Sequence, residues 1–200
     1  MKNSAIKDEF DEFAPVYNQV AIDELEYDAF IKIPNEMIQL NDATKATVLD
    51  LGCGTGLSSE VFLEHGFEVT GVDLSTKMLK EAKKLDFKQL ILQDLNDEKW
   101  ITLEKYDFIV ALGTIEFLDN PSDFLNHCYN LLEDDGIAGI TFPLNCYSEA
   151  TIPVRSFTLD EVQQLCHDSD LELKELCMFT GYRMPTEDID YIGAIVSKAN

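Results

Sequence analysis

The sequence predicts an α/β fold in which helices cover both faces of a doubly wound, mostly parallel sheet. From residue 47 onward, short apolar segments alternate with helical patterns, and several segments are continuously apolar, as in strands buried on both faces. This βαβα order favours a parallel sheet with helices on either side. Near the C-terminus, two strand-like segments are separated by a polar loop too short for a helical crossover, which indicates an antiparallel pair.

The elements follow in chain order. Five apolar segments predict strands at Thr47–Leu51, Glu68–Asp73, Lys88–Leu92, Tyr106–Leu112 and Gly139–Pro143. Helical patterns lie between them at Leu57–His65, Ser75–Leu85 and Pro121–Leu132, with Gly66 and Gly136 as C-terminal stops. A capping box from Thr158 to Glu161 opens a helix over Leu159–Asp168. The antiparallel pair is expected at Leu171–Phe179 and Tyr191–Lys198, around a loop with Gly181, Arg183 and Pro185.

Residues 1–42 predict a helical cap over the sheet. Ile6, Phe10, Phe13 and Tyr17 recur at helical spacing, and Pro15 interrupts the pattern. A second helical segment, 25–40, contains Pro34 and is compatible with two helices. Because this region is too short to bury a core alone, we expect one domain over residues 1–200, with a cap or lid over 1–42 and the core over 43–200.

The composition excludes several classes of protein. No apolar run reaches the roughly 18 residues that a membrane span needs, and the first residues lack an apolar signal core. The formal net charge of -23 opposes binding to nucleic acid and to anionic membranes, and it would attract a cationic ligand. The five cysteines form no C-x-x-C pair, so we expect a cytoplasmic protein without disulfides or a metal site. Nothing indicates an oligomeric state.

The strongest local signal is a glycine-rich turn that follows the first predicted strand. Gly52, Gly54 and Gly56 let the backbone approach a ligand, and amides at the start of the next helix can hold its polar groups. Asp50 ends the strand before the turn. Asp73 ends the second strand, where a carboxylate can accept both hydroxyls of a ribose.

A dinucleotide site is the obvious alternative, and the spacing disfavours it. The pattern here is G-x-G-x-G, and Leu57 stands where a dinucleotide fold needs its third glycine. Asp50 would also place a carboxylate near a pyrophosphate. A ligand that carries an ammonium or sulfonium group suits this turn better.

These residues resemble the class I S-adenosylmethionine-dependent methyltransferases, specifically the small type 11/12-like group. The resemblance rests on VLDLGCGTG followed by GVDLS, and it covers most of the chain. It extends to the segments Asp11–Tyr17, Lys88–Asp94, Tyr106–Gly113, Leu131–Gly136 and Ser156–Glu161. It implies a Rossmann-like, seven-stranded sheet whose last strand is antiparallel.

The resemblance also implies a set of cofactor-binding residues. Asp50 and the amides around Gly52 and Gly54 would hold the methionine part, Asp73 the ribose, and Asp94 the adenine amine. Leu112 would offer its carbonyl to the cofactor ammonium, and Tyr17 would belong to the lid. The full set is Tyr17, Asp50, Gly52, Cys53, Gly54, Asp73, Leu74, Met78, Asp94, Leu95 and Leu112. From the residues alone, Asp94 also fits a solvated loop acid, Tyr17 a core aromatic and Met78 a core side chain.

We therefore expect an enzyme that transfers a methyl group from S-adenosylmethionine to a small molecule, leaving S-adenosylhomocysteine. Glu116 and Tyr17 are the candidate catalytic residues, since a hydroxyl acceptor needs a base, although Glu116 also fits a structural acid. The acceptor pocket is expected from Tyr17, Glu116, Phe117 and the loop 144–157, with Tyr147, Arg155 and the pair Tyr182–Arg183 as polar candidates. Two alternatives remain: a non-catalytic S-adenosylmethionine-binding protein and a nicotinamide-dependent oxidoreductase.

Overall fold

A computed structural model describes residues 2–41, 43–97, 104–146, 152, 154–183 and 186–199. Within them lies one seven-stranded sheet of order β3-β2-β1-β4-β5-β7-β6. Only β7 runs antiparallel to its neighbours, β5 and β6, which confirms the predicted topology. The strands are β1 Thr47–Leu51, β2 Glu68–Asp73, β3 Gln89–Leu92, β4 Tyr106–Ala111, β5 Leu132–Pro143, β6 Leu171–Arg183 and β7 Asp188–Lys198.

Helices cover both faces of this sheet. They are α1 Lys2–Phe13, α2 Tyr17–Gln19, α3 Ala29–Leu40, α4 Glu60–Glu64, α5 Thr76–Ala82, α6 Pro121–Leu131 and α7 Leu159–Asp168. Shorter turns of other helix types occupy Val20–Glu24, Leu57–Ser59 and Ile115–Phe117. Among the described residues, no helix is both long and apolar enough to cross a bilayer.

Two apolar clusters fill the space between sheet and helices. Side chains alternate along β4, so that Ile109 faces the cluster under α6 and α7, whereas Phe108 faces the one under α3 and α4. The N-terminal helices share the second cluster with the sheet. The strand order reverses at β1, which lies between β2 and β4, and ligands of open α/β sheets bind in the crevice at such a point.

Local signals fixed several boundaries as predicted. The first helix ends at Phe13, before Pro15. Asn120 caps α6, which starts with Pro121. Both hydrogen bonds of the capping box are present at Thr158 and Glu161.

Three predicted boundaries are wrong because contacts distant in sequence decide them. Gly136 does not end a helix; it lies inside β5, where a Cβ would come 2.9 Å from the Tyr106 carbonyl oxygen. Gly181 lies within β6 rather than in a loop, and a Cβ there would meet the Tyr191 ring at 2.3 Å. Residues 29–40 form one helix despite Pro34, since their apolar side packs on the sheet.

Candidate functional site

A cleft lies at the carboxyl ends of β1 to β4, where the strand order reverses. It encloses about 800 Å³ of space, part of it open to solvent. The glycine-rich turn after β1 forms its floor and α1 forms its roof, while the ends of β2 and β3 lie on one side and that of β4 on the other.

Two glycines of the turn have distinct tasks. Gly52 has φ +77°, and a Cβ on it would come 2.2 Å from the Thr114 hydroxyl oxygen. Gly54 has φ +52°, and a Cβ on it would meet nothing within 4 Å, so this residue faces the open cleft. Glycine is therefore needed at position 52 because a side chain would collide with Thr114, and at position 54 glycine leaves the cleft open for a ligand.

The amides of this turn are already used inside the protein. The N–H groups of Gly52 and Cys53 donate to the Val72 carbonyl at 2.8 and 3.0 Å. The N–H of Gly54 donates to Asp73 at 2.8 Å. These three N–H groups thus have partners within the protein. The predicted contact of amides around Gly52 and Gly54 with the cofactor stays a prediction.

Asp73 stands where the sequence predicts it, at the end of β2 and against the cleft. Its Oδ2 accepts the Gly54 N–H, and its Oδ1 accepts the Ser75 N–H at 2.7 Å. Burial raises the pKa of this carboxyl to about 6, although the backbone donors oppose the shift. An ionised carboxylate has about four acceptor positions, so Asp73 can accept further hydrogen bonds from ligand hydroxyls.

Asp50 lies beneath the turn and does not line the cleft. It is fully buried, and its Oδ2 accepts hydrogen bonds from the Ser58 and Ser59 hydroxyls at 2.6 and 2.5 Å. Its Oδ1 finds no partner among the described residues. Burial raises its pKa to about 6 against these two hydrogen bonds. Its predicted contact with the cofactor stays a prediction.

Apolar side chains and one further acid form the β3 side of the cleft. Leu74, Met78 and Leu95 line it together with Asp94. Asp94 Oδ1 accepts the Asn96 N–H at 2.9 Å, and its Oδ2 accepts the Asn3 amide of α1. Asp94 therefore faces the cleft rather than bulk solvent, and Met78 is at once a core and a cleft residue.

Helix α1 covers the cleft through side chains that the sequence assigns only to the cap. Ile6, Lys7 and Phe10 line the cleft, and the Phe10 ring meets Phe117 edge to face, 5.5 Å between centroids. Asp11 accepts the Ser75 hydroxyl at 2.6 Å and the Lys77 N–H at 3.0 Å. The helical apolar spacing of Ile6 and Phe10 was the available signal for their role.

On the β4 side, Leu112, Gly113, Thr114, Phe117 and Tyr17 line the cleft. Glu116 lies behind them and is only 3% exposed. Its Oε1 accepts the Tyr191 hydroxyl at 3.1 Å. Burial raises its pKa to about 7, partly offset by that bond and by a backbone donor.

Two basic candidates for the acceptor pocket lie elsewhere. The Arg155 guanidinium lies over the Phe157 ring, 5.0 Å from its centroid. The Arg183 side chain pairs with Glu26 at 3.0 Å. Neither residue lines the cleft, and Tyr147 lies outside the described residues. Across the part of the chain that the structure describes, no group of three or more His, Cys, Asp or Glu could hold a metal ion.

A family model described as a methyltransferase domain matches residues 23–186. The chain belongs to the class I S-adenosylmethionine-dependent methyltransferases. This membership decides against the nicotinamide-dependent alternative. Its cofactor is therefore S-adenosylmethionine.

Curated relatives include methyltransferases named for ubiquinone biosynthesis. The ubiquinone biosynthesis O-methyltransferase of Glaesserella parasuis serovar 5 is 28% identical over 174 residues, 72% of this chain and 74% of that protein. The enzyme of the same name from Actinobacillus pleuropneumoniae serotype 5b is 32% identical over 99 residues, 45% of this chain and 42% of that protein. The chain thus spans less than half of this second relative.

Solved methyltransferase structures share the fold. Magnesium protoporphyrin IX methyltransferase from Synechocystis, crystallised with S-adenosylhomocysteine, superposes with a TM-score of 0.76 at 16% identity, covering 98% of this chain and 99% of that one. The 1,6-didemethyltoxoflavin-N1-methyltransferase of Burkholderia thailandensis gives 0.73 at 18% identity, covering 100% and 91%.

The residues of this methyltransferase fit S-adenosylmethionine on chemical grounds. Asp73 has acceptor capacity left for ribose hydroxyls, and Leu74 and Met78 offer an apolar surface to the adenine. Gly54 leaves open space at the turn. Buried Asp50, with one unpartnered oxygen, and Asp73 put negative charge near the floor, which favours a cationic sulfonium.

Proposed function

We propose that this protein methylates a hydroxyl group on a small aromatic acceptor. The observation that carries the proposal is the unequal lining of the cleft. On the β2 and β3 side, Asp73 and Asp94 are polar groups suited to a nucleoside. On the β4 side, aromatic residues line the cleft, and one buried carboxylate lies behind them.

The β4 side favours a flat, apolar acceptor. Phe10, Phe30 and Phe117 line it together with Tyr17, whose hydroxyl is its main polar group. Aromatic rings stack or meet edge to face with gains of about 0.5–1.5 kcal/mol beyond area burial. An anionic acceptor would lose hydration there and would meet the negative charge of Glu116 behind the wall.

A hydroxyl acceptor agrees with both the relatives and the chemistry. The two curated relatives carry the name O-methyltransferase. A hydroxyl must lose its proton, and a positioned acid or base typically contributes about 10²–10⁴-fold to such a step. Glu116 and Tyr17, the candidate catalytic residues, both belong to this side of the cleft.

The chain's own residues would orient the acceptor and exclude water. S-adenosylmethionine supplies an activated methyl group when it is bound. The Phe10–Phe117 contact joins the roof to the β4 side and shields the acceptor from solvent. Asp11 holds the roof to the start of α5 through Ser75 and Lys77. Such alignment can supply a large part of the rate enhancement.

The test is a turnover assay with matched acceptors. The purified protein is incubated with S-adenosylmethionine and either catechol, phenol, aniline or benzylamine, and S-adenosylhomocysteine and methylated product are measured by mass spectrometry. We expect product from the hydroxyl compounds and none from the amines. Methylation of an amine alone would refute the hydroxyl assignment. Calorimetric binding of S-adenosylhomocysteine without turnover on any compound would favour the non-catalytic alternative.

A further inference from the structure

Behind the β4 side of the cleft lies a compact group of hydroxyls around one carboxylate. Tyr27, Tyr182 and Tyr191 pack ring against ring, with centroids 4.7 to 5.7 Å apart. Tyr191 comes from β7, Tyr182 from β6, and Glu116 from the turn after β4. The paired strands β6 and β7 and the more distant turn after β4 thus bring their polar atoms to one place in the core.

The hydroxyls connect the cleft to Glu116. Tyr17 lines the cleft, and a hydrogen bond with Tyr182 partly offsets the rise that burial causes in its pKa. Tyr191 partly offsets the raised pKa of Tyr182 in the same way, and their ring centroids are 5.7 Å apart. The Tyr191 hydroxyl donates to Glu116 Oε1 at 3.1 Å. A Cβ on cleft residue Gly113 would lie 3.6 Å from the Tyr182 hydroxyl and 3.9 Å from Glu116 Oε1, so both atoms border the cleft wall.

The carboxylate has more acceptor capacity than its surroundings use. Glu116 is 3% exposed, and its Oε2 finds no hydrogen-bond partner among the described residues. A buried carboxylate left half satisfied costs stability. Its Oε2 can accept a further hydrogen bond or a proton.

We propose that Glu116 accepts the proton of the acceptor hydroxyl through the chain Tyr17, Tyr182 and Tyr191. This inference rests on the proposed function, since it requires a hydroxyl acceptor on the β4 side of the cleft. In this scheme Tyr17 touches the acceptor and is the catalytic residue. Glu116, Tyr182 and Tyr191 act through it.

The proton balance is simple. The acceptor O–H bond breaks, its electron pair stays on the acceptor oxygen, and the proton goes to the Tyr17 oxygen. Tyr17 gives its own proton to Tyr182, Tyr182 to Tyr191, and Tyr191 to Glu116 Oε1. Each tyrosine is neutral before and after, and the only lasting change in the protein is that Glu116 becomes protonated. Release of that proton to solvent restores the starting state.

The order of proton affinities supports Glu116 as the end of this chain. Burial raises the pKa of the three tyrosines behind the cleft wall well above the usual value, so none of them holds a negative charge at neutral pH. Burial raises the pKa of Glu116 only to about 7. Glu116 is therefore charged above that pH and can accept a proton. The titratable groups that face it are Tyr17, Tyr27, Tyr182, Tyr191 and Cys146.

The test compares three variants, with catechol as the acceptor probe. Glu116→Gln removes the proton acceptor but keeps the shape, and Tyr191→Phe cuts the chain. Tyr27→Phe is the matched control, because its hydroxyl bonds to Thr141 at 3.1 Å outside the chain but inside the same aromatic cluster. We measure kcat against pH, the Kd of S-adenosylhomocysteine by calorimetry, and the carboxyl stretch by infrared titration without cofactor.

We expect the wild-type kcat to fall below an apparent pKa near 7, as Glu116 becomes protonated. Glu116→Gln should lower kcat by about 10²-fold or more, abolish this acid limb and leave the Kd of S-adenosylhomocysteine within about twofold. Tyr191→Phe should lower kcat similarly, and the double variant should be no slower, because both act on one path. Tyr27→Phe should keep the wild-type profile.

Two results would overturn the inference. One is a wild type that methylates catechol while Glu116→Gln keeps the same kcat and acid limb. The other comes from the infrared titration: a wild type with no carboxyl band that titrates near pH 7, or a band that neither disappears in Glu116→Gln nor shifts in Tyr191→Phe. The infrared result does not depend on turnover. A failure of the proposed function, seen as a wild type inactive on every hydroxyl probe, is thus distinguishable from a failure of the chain.

Discussion

Replacing Asp73 with alanine separates its ligand role from its structural one. The carboxylate binds the Gly54 and Ser75 amides, and each orphaned buried amide costs about 1–3 kcal/mol of folding free energy. The variant also loses a buried charge whose pKa burial raises from 3.8 to about 6, worth about 3 kcal/mol at neutral pH. These effects oppose each other, so we expect a modest change in the free energy of unfolding.

Binding of the cofactor has no such compensation. Loss of the ribose-hydroxyl bonds to Asp73 should weaken S-adenosylhomocysteine binding by about 1–3 kcal/mol, a roughly 5- to 150-fold rise in Kd. Titration calorimetry measures this directly, and thermal unfolding reports the structural cost.

Asp107 supplies the matched control. It also accepts a backbone N–H, that of Thr47 at 2.8 Å, but at the amino ends of β1 and β4, away from the cleft. Asp107→Ala should leave the Kd unchanged. An unchanged Kd in Asp73→Ala, or an equal rise in both variants, would refute the assignment of Asp73 to the ribose.

Three further outcomes follow from the cleft. Gly54→Ala and Gly66→Ala both force alanine into positive φ, at +52° and +75°, and neither new Cβ has an atom within 4 Å. Both variants should therefore lose roughly 1–2 kcal/mol of stability in denaturant unfolding. Only Gly54→Ala should weaken S-adenosylhomocysteine binding. Burial raises the pKa of Asp73 to about 6, and ribose hydroxyls favour its ionised form, so cofactor binding should lower that pKa. Binding should therefore release protons near pH 6 and weaken as the pH falls. Calorimetry in buffers of different ionisation enthalpy measures this release, and Asp73→Asn should abolish it. Asp11→Ala should speed S-adenosylhomocysteine dissociation in stopped-flow measurements, since Asp11 holds α1 to α5. Asp8 lies on the exposed side of the same helix, so Asp8→Ala should leave the dissociation rate unchanged. Equal rates in the two variants would argue against α1 as a roof.

Much of the fold could be read from short stretches of sequence. Short, partly apolar segments bounded by turn residues marked β1 and β2 to the residue, because strands of this length alternate with helical patterns along the chain. Caps marked the starts of α6 and α7, because a cap involves residues only three positions apart. The position of Asp73 followed from the end of a strand, and the structure places it at the cleft.

The use of the turn amides could not be read in the same way. The sequence showed a glycine-rich turn, but the partners of the Gly52, Cys53 and Gly54 N–H groups are Val72 and Asp73, which lie on the neighbouring strand. Whether an amide is free for a ligand depends on which strand lies next to it. That is a property of the sheet and not of the motif.

The sequence by itself determined the α/β class, the position of the glycine-rich turn and the acid at the end of β2. All three depend on contacts between residues a few positions apart, whose pattern is visible along the chain. Only the tertiary structure decided that Ile6 and Phe10 cover the cleft, that Gly136 and Gly181 lie inside strands, and that Glu116 is buried against Tyr191. Those outcomes depend on the packing of segments up to about a hundred residues apart, and no local pattern of side chains records which distant surface a residue will meet.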